Sequence, residues 1–319
     1  MGAFGLTALL SIVGLSVGPH PGVQVWRGTP SALSAERLIA GASSPVLSAD
    51  GNLVAYSFKG ELRVQSVSGG AARTLTQLPA GSPVAFSPSG ARIAFIAEGA
   101  IVQLPLVGKG PVKRVSLPTS WARSTFASLA WSSRNGLAFS RTYGDGKAGT
   151  LKNELDYVDA QDAARILYRN PTPYSARLDP VFSRDGSQIV VGAGDGRGLV
   201  SVPTGLGRPR ALTTAHADSG SVWSPDGAWL AFARSVPRGV SDVWIVRADG
   251  TGPRKVTTTP IPPRGVAHSG SRPLAWSPDG KQLLAFRHDR FAIVTVATRA
   301  SRDLRRVGVQ YELVAAGWR

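Results

Sequence analysis

Cysteine is absent from the 319 residues. That excludes disulfides, thiol catalysis, Cys-ligated metals and a lipidated N-terminal Cys, and leaves the redox compartment undetermined. Methionine occurs once, at position 1. Acidic residues are scarce, with 20 Asp and Glu against 36 Lys and Arg, a formal net charge of +16. Charged residues make up 18% of the chain, below the ~25% usual in globular proteins. What is abundant is apolar and turn-forming. Hydrophobic residues reach 43%, with 37 Gly and 23 Pro, so the chain can build a core and its composition speaks against disorder.

The organising stretch is Trp223–Phe232, WSPDGAWLAF. It reads as a β-hairpin, in which a strand ends in an aromatic, Ser-Pro-Asp-Gly turns the chain, and Leu230-Ala231-Phe232 returns. Asp226 can accept a backbone N–H inside the turn and Gly227 can take the positive φ that a tight turn needs. Copies begin at Leu47-Ser48, Phe86-Ser87, Trp131-Ser132, Phe182-Ser183 and Trp276-Ser277. Their serines are 39, 45, 51, 41 and 53 residues apart. A repeat near ~40–45 residues with a turn signature marks a propeller blade, a four-stranded sheet that cannot bury its faces alone.

Each unit continues alike. Third strands are expected at Val23–Trp26, Glu61–Val67, Ile101–Val107, Glu154–Asp159, Leu199–Val202, Asp242–Arg247 and Phe291–Val296. Fourth strands place a basic residue beside an aliphatic one, as in Arg114-Val115, Arg165-Ile166 and Lys255-Val256. Seven third and seven fourth strands face six complete hairpins, and the missing first strand lies at the other end of the chain, in Leu313–Trp318. The expected fold is therefore all-β: a β-propeller over residues 23–319, with seven four-stranded blades closed by pairing of the N- and C-terminal strands. Six blades is the alternative if those strands do not pair. The aromatics Trp131, Trp223, Trp276 and Trp318 are read as packing between blades.

On these residues the hairpins resemble the WD-like propeller repeat of TolB-type proteins, most closely in Trp223–Phe232 and Trp276–Phe286. Similar repeats occur in the propellers of prolyl oligopeptidase-like and tricorn-like peptidases. The resemblance spans roughly residues 40–319 and implies an extracytoplasmic interaction platform, periplasmic, secreted or membrane-anchored, in a bacterial protein. The repeats leave no room for the additional α/β domain of TolB or the hydrolase domain of the peptidases.

Residues 2–18 carry no charge. Segment 1–18 suits a signal-peptide core or an anchor; the other reading makes Leu9–Val17 a strand of the propeller. Gly14–Gly18 matches G-x-S-x-G, but that elbow needs a strand–turn–helix inside an α/β domain.

Twelve basic residues lie in or beside the fourth strands: Arg37, Arg73, Lys113, Arg114, Arg165, Arg208, Arg210, Arg254, Lys255, Arg302, Arg305 and Arg306. They are expected to keep outer edges from pairing with other sheets. The net positive field favours a protein or an anionic envelope component as partner. Nucleic acid is not expected, since no reader motif is present. A monomer is expected, with membrane association through residues 2–18.

Function should sit where links are longest, on the end of the blades that carries the second-to-third-strand and blade-to-blade links. There Trp121, Arg123, Tyr143, Tyr168, Arg169, Tyr174, Arg177, Arg238 and Arg264 are the candidate partner-binding residues, because aromatics and Arg are the usual interface anchors. The rival is a propeller hydrolase or lyase using His216, His268, His288, Asp218 and Asp289, which could bind Zn²⁺ or move protons. No pair has the spacing of a helix-borne zinc motif, so no cofactor or metal is assigned. The turn aspartates Asp50, Asp185, Asp226 and Asp279 are read as hairpin formers rather than calcium ligands.

Overall fold

The computed structural model describes residues 9–16, 21–106, 108, 110–144, 151–171, 178–194, 196–214, 217–236, 240–257, 271–287, 290–307 and 311–319. It forms two compact units, residues 1–77 with 274–319 and residues 78–273. Every sheet is antiparallel and four-stranded, and there are seven: the fold is a seven-bladed β-propeller. Among the described residues there is no α-helix, and none is long and apolar enough to cross a membrane.

The first unit contains the blade in which the chain ends meet. Its strand order is β28 (Tyr311–Trp318), β1 (Leu10–Ser16), β2 (Gly22–Thr29) and β3 (Ala32–Ala40). Leu10 lies opposite both Gly28 and Trp318. Leu9 and Arg319 exchange backbone hydrogen bonds of 2.8 and 3.0 Å. Of the apolar segment 1–18, residues 10–16 are thus a strand between two others, with Ile12 and Val13 fully buried; residues 1–8 and 17–18 lie outside the described residues. The blade after it runs from β4 (Ala42–Leu47) through β5 (Leu53–Phe58) and β6 (Glu61–Ser66) to β7 (Gly69–Gln77). The chain-terminal unit also holds, from Leu274 on, the blade of β24 (Ser271–Trp276) to β27 (Ser301–Arg306).

In the second unit the blades run from β8 (Val84–Phe86) to β11 (Lys113–Ser116), from β12 (Thr125–Trp131) to β15 (Ala164–Arg169), from β16 (Val181–Phe182) to β19 (Arg210–Ala211), and from β20 (Asp218–Trp223) to β23 (Arg254–Lys255).

The turn chemistry explains why these hairpins form. The Oγ of Ser48, Ser183, Ser224 and Ser277 donates to Asp50, Asp185, Asp226 and Asp279 at 2.5–2.6 Å. The same oxygens accept the N–H of Leu53, Gln188, Trp229 and Gln282 at 2.9–3.0 Å. Each Asp also accepts the N–H two residues on, at 3.0–3.1 Å. Gly51, Gly186, Gly227 and Gly280 complete the turns at φ 63–71°. In the copy after Trp131, Asn135 takes the left-handed position at φ 64°, which Asn tolerates better than most residues. Hydrogen bonds from the Ser hydroxyls, and then from the next residues' N–H groups, hold the turn carboxyls low, that of Asp185 at about 2.

Blade faces bury against their neighbours within each unit. Leu10, Ile12 and Trp26 pack with Leu284, Phe286, Phe291 and Ile293, where Trp26 meets Phe291 edge-on at 5.2 Å. Val190 and Leu199 pack with Leu230, Phe232 and Val246. Each such side chain contributes about 1.5–3 kcal/mol.

The fourth-strand basics do more than guard edges. Lys113 Nζ reaches Asp162 Oδ1 of the next blade at 2.6 Å. Arg165 donates to the carbonyl of Thr204, Arg210 to those of Asp249 and Ala248, and Arg302 and Arg305 to those of Pro30 and Leu33. All six partners sit in or beside the third-to-fourth-strand link of the following blade. These side chains are clasps between blades.

Candidate functional site

The sequence L-A-F-x-R occurs twice, as Leu137–Arg141 on β13 (Leu137–Tyr143) and as Leu230–Arg234 on β21 (Trp229–Val236). Alternation sends Leu137, Phe139 and Arg141 to one face, where Leu137 and Phe139 join the core and Arg141 follows at its upper edge. β14 (Lys152–Val158) returns in register, placing Glu154 opposite Arg141 and Asp156 opposite Phe139. Two carboxylates therefore line the same face as one guanidinium.

The result is a buried ion cluster. Arg141, Glu154 and Asp156 are 4%, 1% and 0% exposed. Arg141 Nε donates to Asp156 Oδ2 at 2.5 Å and its terminal nitrogen to Glu154 Oε2. A weaker bond of 3.4 Å runs to Ser124. The guanidinium lies 4.4 Å from the Trp121 ring and 4.7 Å from that of Tyr143. Glu154 Oε1 accepts from the Tyr143 hydroxyl and from Arg169 Nε, both at 2.8 Å. Asp156 Oδ1 is buried without a partner among the described residues. Burial pushes the Asp156 carboxyl up to about 6 despite the bond from Arg141. Burial, and then the bond to Glu154, also raises the Tyr143 phenol.

The second copy is fully matched. Arg234 Nε and its terminal nitrogen donate to both oxygens of Asp218 at 2.8 and 2.7 Å. Thr213 adds a third bond at 2.5 Å. Arg234 lies 4.5 Å from the Trp244 ring, and Asp242, opposite it on β22 (Val240–Arg247), pairs with Lys255 at 3.0 Å.

The candidate residues divide accordingly. Trp121 belongs to the core, meeting Phe139 edge-on at 6.1 Å; it supports Arg141 from below. Tyr143 and Arg169 join the same cluster, and Arg169 is 72% exposed. Tyr168 is half-buried against the next blade. Arg123 is exposed, next to Ser124. Tyr174, Arg177, Arg238 and Arg264 lie outside the described residues, as do His216, His268, His288 and Asp289. Asp218, from the rival set, is spent on Arg234. No group of His, Cys, Asp or Glu able to hold a metal ion occurs among the described residues.

Sequence reasoning missed Arg141, Glu154, Asp156, Arg234 and Asp242. The signal was there: L-A-F-x-R recurs in register, with an acidic residue mirrored across each following link.

No family model matches the chain, and no curated protein is similar to it in sequence. Solved structures do resemble it. Oligogalacturonate lyase in complex with manganese superposes with a TM-score of 0.64 at 12% identity, over 93% of this chain and 84% of that one. TolB from Acinetobacter baumannii gives 0.57 at 14%, over 99% of this chain and 67% of TolB. The fold is that of a TolB-like propeller. A puromycin-hydrolyzing peptidase from Mycobacterium tuberculosis gives 0.61 at 16%, over 94% of this chain but 54% of the peptidase. At these identities the likeness is one of fold alone, and TolB-like describes the scaffold rather than an activity.

Proposed function

We propose that this TolB-like propeller is a non-catalytic binding scaffold whose partner, a protein or an envelope component, is anionic, and that it acts outside the cytoplasm. The observation that supports this is how charge is distributed on the end of the blades that carries the second-to-third-strand links. There Glu61, Glu98, Glu154, Asp156, Asp218 and Asp242 are all ion-paired. Lys59, Arg123, Lys152 and Arg197 are exposed and without an ion pair among the described residues. Among the described residues of that end, exposed cations stand beside ion-paired acids and Asp179, which accepts from Ser128, so polyanions are steered toward it. Extracytoplasmic placement rests on the TolB-like fold and not on segment 1–18, seven of whose residues form β1.

The test is binding of polyglutamate by purified protein. Affinity should fall steeply with added salt, while polyglutamate and a panel of uronate, lactone and peptide substrates are left unaltered. Turnover of any of them that disappears in His216→Ala or His288→Ala would overturn the proposal.

A further inference from the structure

The two Arg clusters differ in one respect that bears on function. In the blade of β20–β23 each carboxylate has its own cation: Asp218 has Arg234 and Asp242 has Lys255. In the blade of β12–β15 the buried Arg141 is divided between two carboxylates on the same strand face. The second cation, Arg169, reaches the cluster from outside through one atom, Nε, on Glu154. One carboxylate oxygen, Asp156 Oδ1, has no hydrogen-bond partner among the described residues.

We infer that the Arg141–Glu154–Asp156–Arg169 cluster is a proton-linked anion site: a proton taken up at Asp156 loosens Arg169 from Glu154 and presents it to an oxyanion. The inference rests on the reading of this end of the blades as anion-facing. Two guanidiniums and two carboxylates sum to zero; one proton from solvent, bound at Asp156, makes the group +1. The charges facing Asp156 are Arg141 from β13, Glu154 from its own strand and Arg169 from β15. From the preceding blade Ile96, Ile101 and Val115 join this core, and the blade-to-blade link adds Trp121 and Ser124.

Arg169 is the cation that yields. Arg141 is enclosed by two rings and held by three bonds, whereas Arg169 is 72% exposed and its two terminal nitrogens have no partner among the described residues. Once Asp156 is neutral, Arg141 compensates Glu154 alone, and Glu154 holds Arg169 less tightly. The terminal nitrogens of a guanidinium form a fork that fits a carboxylate, sulfate or phosphate. The raised Asp156 carboxyl, at about 6, sets the range in which the change occurs.

The probe is inorganic sulfate, whose charge does not change between pH 5 and 7.5. Binding is followed on the Arg169 Nε–H resonance at constant ionic strength. Sulfate should bind about tenfold tighter at pH 5 than at pH 7.5, the size of effect expected for one added charge near a partly solvated site. Asp156→Asn should bind tightly at both pH values, and Arg169→Gln weakly at both. A pH dependence that survives in Asp156→Asn would overturn the inference. If Asp156→Asn does not fold, the ¹³C titration of the Asp156 carboxyl in the unaltered protein decides: a midpoint near 6 supports it and one below about 4.5 overturns it. Neither failure touches polyglutamate binding at pH 7.5, which the scaffold reading predicts separately.

Discussion

At the residue scale, the buried guanidiniums hold the framework of the anion-facing end. Replacing Arg141 with Met leaves Glu154 and Asp156 buried without their cation, which costs about 3–5 kcal/mol. Urea unfolding should show that loss at pH 7.5 and a smaller one at pH 5, where the stranded carboxylates can take up protons. Arg123→Met, at an exposed position without an ion pair among the described residues, should stay within about 0.5 kcal/mol. The turn aspartates act in the opposite pH direction from Asp156. Their folded carboxyls are depressed, so their stabilisation is present above the unfolded value near ~3.9 and is lost as pH falls, for Asp185 down through about 2. Asp156 is raised, so its unfolded form binds fewer protons between ~4 and 6 and stability falls as pH rises through that window. A stability profile of Asp156→Asn should lose this slope between pH 4 and 6 and keep the acid limb. An unchanged slope would mean that Asp156 does not titrate there.

At the scale of elements, the hairpins were legible because their determinants are local. Ser, Asp and Gly of one turn sit within four residues, and every third strand expected from the repeat lies within or across an observed one, as Asp242–Arg247 does in β22. Seven blades are legible in the count of third and fourth strands, with Leu313–Trp318 as the missing first strand. The clasps were not legible, because Arg210 bonds backbone carbonyls 38 and 39 residues away and carbonyls leave no mark in sequence. The carboxylate partners were hidden for a related reason: Arg141 meets Glu154 across a link, and only the register of β13 on β14 brings them together. Two element-level predictions follow from the observed pairing. Deleting residues 1–16 removes β1 from between β28 and β2, and should abolish the cooperative thermal transition. Arg210→Ala should cost about 1–2 kcal/mol by loss of two charge-assisted bonds. A melt unchanged by the deletion would show that β28 can close the blade without β1.

For the whole molecule, composition is explained more by construction than by partner choice. Part of the +16 charge is internal, since Arg165, Arg210, Arg302 and Arg305 fasten blade to blade and Arg141 and Arg234 neutralise buried acids. What remains exposed decides what the propeller can meet, and Arg123 and Arg197 lie on the end proposed for binding. Arg208 and Arg299 are equally exposed but sit on third-to-fourth-strand links, at the opposite end of their blades. The decisive measurement is polyglutamate affinity at pH 7.5 for the unaltered protein and two double variants of equal net charge. Arg123→Gln with Arg197→Gln should weaken binding about tenfold, as expected from removing two charges at a contact, while Arg208→Gln with Arg299→Gln should change it less than about twofold. Equal losses in the two variants would show that polyanions respond to total charge alone, and would contradict a binding face on this propeller.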